Sequence, residues 1–580
     1  MPTASRRRYT SSDTTNYQRE LANFRATDTV VVGNGPAALF LSYILHGHVP
    51  RYDPITYGPH PDPILHSKLL KLCAHTKPLT EILDSPKAIS FLTEHFHASS
   101  LSYSDQALPV NVLLDTLMRP NADTEIGELK SRLKWEKVPG KRVDHIVLGS
   151  AQESGGQWSE EPVSENWDIG TLSYAEMFTL PGYSFPEHYT RLHRTPLPDL
   201  IRPTRRDVAS YYSHYPRAVG INGSILSSTT VQKISRNSAG FTLRVQRRKS
   251  AEPFIIVCRH LVLATGIFTF TIPPPPIFAP LLQRGPQWSG AVGPERMESM
   301  QRMDQGNMIT GTLAGSGPGR DNTAPILVVG SGFTAADVIL SQPKGRRIVH
   351  IYKWNPSRPS PLKGCHPQAY PEYAEIYRQM KLATTNPPAV TPGVNGMNGV
   401  GPGGLKRGDS KRGDMRPPPP KPNTSTGSLR EWGATYEGYP NSQIISVDPT
   451  GVIKILTSDN TTIERSVSSL KYCAGRKGSL GYLAADLRKE VGVMDAAWVS
   501  ADTLRRRVET DLMVAEGVWV VGSLTGDSLV RYGLGSGVYT AGRIQAESVG
   551  KEGGAVEGDV ATGGKEGKGG KWAPNSCVIC

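Results

Sequence analysis

Two stretches of this chain read strand, glycine turn, helix, and they share one spacing. The first is Thr29 to Leu45, TVVVGNGPAALFLSYIL, where a β-branched run, Val30 to Val32, meets Gly33-Asn34-Gly35-Pro36 and then an apolar stretch without a breaker until Gly47. The second is ILVVGSGFTAADVIL from Ile326, with Gly330, Ser331, Gly332 and Ala335 at the offsets of Gly33, Asn34, Gly35 and Ala38. In such a turn the first Gly permits the sharp bend and the second lets a pyrophosphate approach the backbone. The third small residue, here Ala, packs the helix close on the strand. The helix N-terminus then offers N–H groups and a partial positive charge to phosphate. One copy is a weak signal; two copies about three hundred residues apart predict an α/β protein with two Rossmann-like dinucleotide-binding domains.

The chain has 580 residues and a formal net charge of +13. Residues 1–26 carry five Arg against one Asp and one Glu, and residues 381–430 carry eight Lys or Arg against two Asp, so +9 of the excess lies in polar tracts. Solvated charge on such tracts, rather than nucleic-acid binding, is the expectation. The six cysteines, Cys73, Cys258, Cys365, Cys473, Cys577 and Cys580, form no disulfide framework and imply a reducing compartment. The N-terminus has no apolar signal core, and Asn34, Gly35 and Pro36 interrupt the longest apolar stretch, so a cytoplasmic location is expected and no metal site is.

Read along the chain, residues 1–26 are a disordered tail and 27–270 the first part of one dinucleotide domain. Within it, 46–142 is a helical insertion that starts with a Pro/His-rich loop, HGHVPRYDPITYGPHPDP, and delays the second strand to Val143–Leu148. A three-strand meander then ends in a buried strand whose exit is Ala264-Thr265-Gly266. Residues 271–323 are an irregular linker, 324–383 and 429–476 the two parts of the inserted second domain, and 384–428 a Pro/Gly-rich disordered insert. Residues 477–549 return to the first domain, and 550–580 form a flexible tail. In the second unit, Lys353 lies 23 residues after Gly330, with Arg358 nearby and no acid, which favours a 2′-phosphate and hence NADPH over NADH. A solvated strand-end lysine is the other reading of Lys353.

This order of parts resembles the flavin-containing monooxygenase superfamily. More narrowly, VVGNGPAALFLSYILHG, HPDPILHSKL, GGQW, TLSYAEMFTLPGY, RRDVASYY, YPEYAEIY and GDSLVRY resemble the oxidative stress-induced growth inhibitor family. The resemblance implies FAD held by Gly33, Asn34, Gly35, Pro36 and Ala38, with Gly155, Gly156 and Trp158 near it, Thr265 and Gly266 at the crossing, and Gly526 and Asp527 near its ribityl chain. It places NADPH across Gly330, Ser331, Gly332 and Ala335. The implied activity is oxygenation of a small soft nucleophile through a flavin-bound peroxide, with no dedicated acid or base. A regulatory flavoprotein, or an uncoupled NADPH oxidase or reductase, stand as alternatives. Arg531 reads either as a group steadying cofactor charge or as a structural arginine.

Two positions depart from the superfamily. Its acid six residues before the Gly-Gly is Gly149 here, which leaves the adenosine ribose to Asp53 or Asp62, or to weaker binding. Its aromatic-x-Gly fingerprint survives as Trp288-Ser289-Gly290, with Pro294 where a His falls. Finally, Cys577-Val578-Ile579-Cys580 fits a prenylation signal, a chance match or a redox or metal pair; one prenyl chain would give weak membrane association.

Overall fold

The structure is a computed structural model that describes residues 24–282, 310–312, 324–385 and 432–552, with short gaps at 74–76, 100, 102, 123–129, 161–166, 249, 251 and 494–496. Trp288 to Pro294, most of the 384–428 insert and Cys577 lie outside the described residues. Among the described residues no helix is long and apolar enough to cross a membrane.

The first domain is built on β1 (Phe24–Val32), whose Val30, Val31 and Val32 are fully or almost fully buried. The chain turns into α1 (Pro36–Leu45), in which every residue from Ala38 to Leu45 is buried, as expected of a helix covered on all sides. β1 begins three residues ahead of the expected boundary because Phe24, Arg25 and Ala26 already pair with Ile255, Ile256 and Val257. The insertion does not open on a loop. Instead β2 (His48–Tyr52) pairs antiparallel with β3 (Leu133–Lys137), and Pro50 is tolerated because this is a two-stranded ribbon with free edges. Between them lie α2 (Pro63–Cys73), α3 (Pro86–Thr93) and α4 (Pro109–Met118). Their Leu65, Leu69, Leu92, Leu113 and Leu117 join the same core as β1 and α1, so the insertion packs as part of the first domain.

β4 (His145–Leu148) returns to the sheet parallel to β1. After α5 (Phe185–His193), α6 (Arg205–Ala218) is opened by a capping box in which Thr204 and Asp207 bond each other's backbone; it buries Val208, Tyr211, Tyr212 and Tyr215, the residues its helical spacing picks out. The short β5 (Ile225–Leu226) pairs with β4, and the meander follows as β6 (Thr229–Asn237), β7 (Gly240–Arg247) and β8 (Phe254–Leu263). β8 lies parallel to β1 on the side away from β4.

The chain crosses to the second domain through β9 (Phe270–Thr271). Part of the segment expected to be irregular is ordered: β10 (Thr310–Thr312) forms an antiparallel edge beside residues 469–471. β11 (Ile326–Val329) leads through the second glycine turn into α7 (Phe333–Ser341), then β12 (Ile348–Tyr352) and α8 (Pro371–Thr385). β13 (Tyr436–Pro440), unanticipated from sequence, extends the sheet parallel to β12. β14 (Gln443–Val447), β15 (Val452–Leu456) and β16 (Thr462–Ser466) form a meander over one face, and β17 (Ser469–Tyr472) completes the order β10-β17-β11-β12-β13. One core lies between this sheet and α7 and α8, and another lies under the meander.

β18 (Arg476–Ser479) pairs with β9, so the two crossing strands run side by side, with β19 (Trp498–Val499) beyond. β20 (Met513–Ala515) and β21 (Val518–Val520) close the first sheet beside β8, and α9 (Gly535–Glu552) packs on α1 and α4.

Candidate functional site

At the first loop, Gly33 has φ +118°, and a Cβ there would stand 2.3 Å from the Ala264 carbonyl oxygen. The Ala264-Thr265 crossing runs directly against it, which is why this position must be Gly. Gly35 differs: its φ is −75° and a Cβ would meet no atom within 4 Å. It is the N-cap of α1 with no side-chain cap, and Pro36 fills the first turn, where a missing N–H costs nothing. Ala38 is fully buried against the strand, as a packing residue should be.

Three further glycine segments converge on this turn. The Gly155 N–H donates to the Asn34 carbonyl at 2.9 Å, and a Cβ on Gly156 would come within 3.1 Å of Gly35 Cα. A Cβ on Gly522 would lie 2.8 Å from that of Ala37, and one on Gly533 3.3 Å from Gly522 Cα. From the crossing, the Ile267 N–H donates to Ser523 Oγ at 3.3 Å, and a Gly266 Cβ would meet the same oxygen at 3.0 Å. Thr265 Oγ1 lies 3.2 Å from the Tyr482 hydroxyl. Trp158 stands edge-on to Phe178 at 5.2 Å, with the Arg205 guanidinium 6.0 Å from its ring and bonded to the Gln157 carbonyl. Burial lowers the Arg205 pKa to about 9. Thus Gly33 to Ala38, Gly155, Gly156, Trp158, Thr265 and Gly266 gather at one place.

Asp527 is engaged by the protein itself. It accepts from the Leu108 N–H (2.9 Å), Asn111 Nδ2 (2.7 Å) and Arg505 (2.6 Å). The preceding Gly526 has φ +98°, and a Cβ there would press on the Ala501 carbonyl at 2.9 Å. Asn111 Oδ1 in turn accepts from the Ser536 N–H, so α4 of the insertion sews the two C-terminal segments together. Arg531 is buried, contacting Asp115 (3.5 Å), Met177 Sδ (3.5 Å) and the Tyr532 hydroxyl, while Asp115 also pairs with buried Arg119 at 2.9 Å.

The departure at Gly149 has a local explanation. A Cβ there would fall 2.0 Å from Asn34 Cγ, so the Asn34 carboxamide covers the spot, donating to the Glu153 carbonyl at 3.1 Å. Neither acid expected to replace it is directed to this loop. Half-buried Asp53 caps a short helix by accepting from Thr56 N–H, and buried Asp62 accepts from Ser99 and Tyr103 hydroxyls and faces His95.

The second loop repeats the first. Gly330 has φ +141°, with a Cβ position 2.2 Å from the Cys473 carbonyl oxygen of the other crossing. Gly332 is the uncapped N-cap of α7, open around its Cβ position, and Ala335 is buried. The Gly330 carbonyl meets His350 Nε2 at 2.6 Å, and the Ser331 carbonyl accepts from Ser360 Oγ. Lys353 is exposed just beyond β12, and Asn441 holds the next residue, Trp354, at both backbone groups (2.8 and 3.0 Å). Arg202 ties the domains: it donates to the carbonyls of Thr171 (2.7 Å) and Ala369 (3.0 Å) and to Glu372 (2.7 Å), with its guanidinium 4.6 Å from the Tyr370 ring. The Tyr370 hydroxyl itself donates to the Leu172 carbonyl at 2.7 Å.

The fold and paired loops therefore define an α/β protein with two dinucleotide-type domains. Its curated relatives are oxidative stress-induced growth inhibitors. It is 27% identical over 383 residues to oxidative stress-induced growth inhibitor 2 of Homo sapiens, spanning 60% of this chain and 68% of that protein. It is 26% identical over 369 residues to oxidative stress-induced growth inhibitor 1 of Mus musculus, spanning 61% and 68%. Among solved structures, similar chains include a bacillithiol disulfide reductase from Bacillus cereus (TM-score 0.43, 11% identity, 90% of this chain and 100% of that one). Another is a flavin-containing monooxygenase from Stenotrophomonas maltophilia (TM-score 0.41, 13% identity, 90% and 99%). No protein-family model matches.

Sequence reasoning missed Ser523, Asn111, Arg202, His350 and Ser360. Only His350 left a local trace, as a polar residue inside the otherwise buried apolar strand IVHIY.

Proposed function

We propose that this chain is an FAD-dependent, NADPH-using oxidoreductase whose reaction is oxygenation of a small soft nucleophile such as an amine, sulfide or ketone. The observation that carries the reading is the doubled loop: in each, one glycine is pressed against a crossing-strand carbonyl and the next is open at an uncapped helix start. That is the arrangement in which a dinucleotide pyrophosphate meets backbone N–H groups. FAD fits the first loop, where the segments of Gly155, Gly266 and Gly522 converge, and NADPH is assigned to the second, with exposed Lys353 beyond β12 as its candidate 2′-phosphate cation.

When bound, NADPH supplies hydride and FAD the redox and oxygen chemistry. The chain's own part is to orient and to exclude water. Gly35 and Gly332 let the backbone approach, and Trp158, Phe178 and Tyr212 form an aromatic wall beside the first loop. Arg202 fixes the angle between the domains, on which the distance from hydride donor to acceptor depends.

The test is the stoichiometry of NADPH oxidation under air with a panel of amines, sulfides and ketones. Oxygen-18 retained in a product supports the monooxygenase reading. Peroxide equal to NADPH consumed, with every substrate, replaces it with an uncoupled oxidase. The engagement of Asp527 by three protein donors favours a second reading, a flavoprotein that holds FAD as a structural or regulatory ligand; flavin that binds but is not reduced by NADPH would establish it.

A further inference from the structure

The second loop contains a buried histidine that the proposed chemistry does not use. His350 is 1% exposed in the middle of β12. Its Nε2 lies 2.6 Å from the Gly330 carbonyl, which only accepts, so Nε2 carries the proton. In the neutral ring Nδ1 is then an acceptor, matched by the Tyr436 hydroxyl at 2.7 Å. Burial holds the imidazole pKa down to about 4, partly offset by the bond to Gly330, so one neutral tautomer prevails at physiological pH. One peptide further on, Ser360 Oγ donates to the Ser331 carbonyl while accepting from the Leu362 N–H.

A trans peptide points its C=O and its N–H in opposite directions. Pinning the Gly330 carbonyl inward on His350 therefore aims the Ser331 N–H outward. Pinning the Ser331 carbonyl on Ser360 does the same for the Gly332 N–H at the start of α7. These are the two donors a pyrophosphate would meet first. We infer that His350 and Ser360 are positioning residues that preset the anion-facing N–H groups of the second glycine loop, with Tyr436 fixing the His350 tautomer. The inference rests on the dinucleotide reading of this loop. It adds a mechanism: affinity is set by side chains behind the loop, one from the second strand and one from the segment that follows it.

The experiment compares His350→Leu, His350→Gln and Ser360→Ala with wild type in the full chain, by two readouts. The first is NADP+ affinity by calorimetry, alongside flavin content. The second is amide hydrogen exchange of the ligand-free loop, which needs no ligand. His350→Leu and Ser360→Ala are expected to weaken NADP+ binding by about tenfold each, the scale of one lost hydrogen bond, with flavin content unchanged. Exchange at Ser331 and Gly332 should rise while that at Asn34 and Gly35 stays constant. Gln can reach Gly330 with its own N–H and should restore affinity to within about threefold. Unchanged exchange and affinity in both His350→Leu and Ser360→Ala overturn the inference. If wild type binds no NADP+, the cofactor reading falls, and the exchange comparison still decides whether these residues set the loop. Should His350→Leu fail to fold, Ser360→Ala and His350→Gln carry the same two readouts.

Discussion

The two glycine loops share a spacing but are held by different means. The first is held by backbone: Gly155 N–H on the Asn34 carbonyl, with Gly156, Gly522 and Gly533 stacked close around it. The second has the matching backbone bond at its first glycine, Gly330 N–H on the Ile351 carbonyl at 2.9 Å, but its next two carbonyl anchors are side chains, His350 and Ser360. A backbone-built cradle tolerates changes of pH and is intolerant of added size. One built also on a neutral histidine shares the intolerance of added size at its first glycine and adds a sensitivity to acid. The same motif thus yields two loops that should fail under different challenges.

The shared weakness is the largest. Gly33→Ala and Gly330→Ala each put a Cβ 2.2 to 2.3 Å from a carbonyl oxygen at a positive φ. Strain and overpacking together predict a loss of roughly 3–5 kcal/mol, read as a fall in Tm. Gly35→Ala and Gly332→Ala, in open space at ordinary φ, should leave Tm unchanged and weaken only the ligand of their own loop. Equal Tm losses at all four positions would erase the distinction.

Acid separates the two loops next. Burial holds His145 in β4 and His350 in β12 down to pKa values of about 4, below the ordinary imidazole value of 6.5. The unfolded chain therefore binds more protons between those values. The stability these groups contribute is complete above pH 6.5 and is lost as pH falls toward 4. The loss is on the order of 2–3 kcal/mol for each histidine. His145 bonds Val143 and Ser42 behind α1 and does not touch the first loop, whereas His350 bonds the second loop directly. Lowering pH toward 4 should therefore weaken NADP+ binding before flavin is released, measured by calorimetry and by flavin fluorescence. Release of flavin first would contradict the assignment.

The smallest effect concerns the link between the loops. Arg202→Ala removes three hydrogen bonds to Thr171, Ala369 and Glu372 on the partly exposed domain boundary. It should cost about 1–2 kcal/mol and slow flavin reduction by NADPH about tenfold without changing flavin content. Stopped-flow reduction checks this; an unaltered rate would mean the domain angle is set elsewhere.

Much of this was legible in the sequence because it is local. Both glycine turns, α4, α6 and the meander announce themselves by spacing over a few residues. What stayed hidden is contact between distant segments. Asn111 and Asp527 meet across 416 positions, and Arg202 and Glu372 across 170. Taken alone, HVPRY has the composition of a turn, and only pairing with β3 makes β2 a strand. Gly149 looked like a missing acid until Asn34, 115 residues earlier, proved to occupy its place. Asp53 and Asp62 looked available because a sequence does not show that one caps a helix and the other is bound by Ser99 and Tyr103.

The proposed function requires FAD in the first loop and hydride delivered by NADPH from the second. The most direct test is the visible absorption spectrum of the purified full chain, followed anaerobically during addition of NADPH and, separately, NADH. The expected result is a flavin band that NADPH bleaches faster than NADH. Absence of flavin in both purified and FAD-supplemented protein would contradict it.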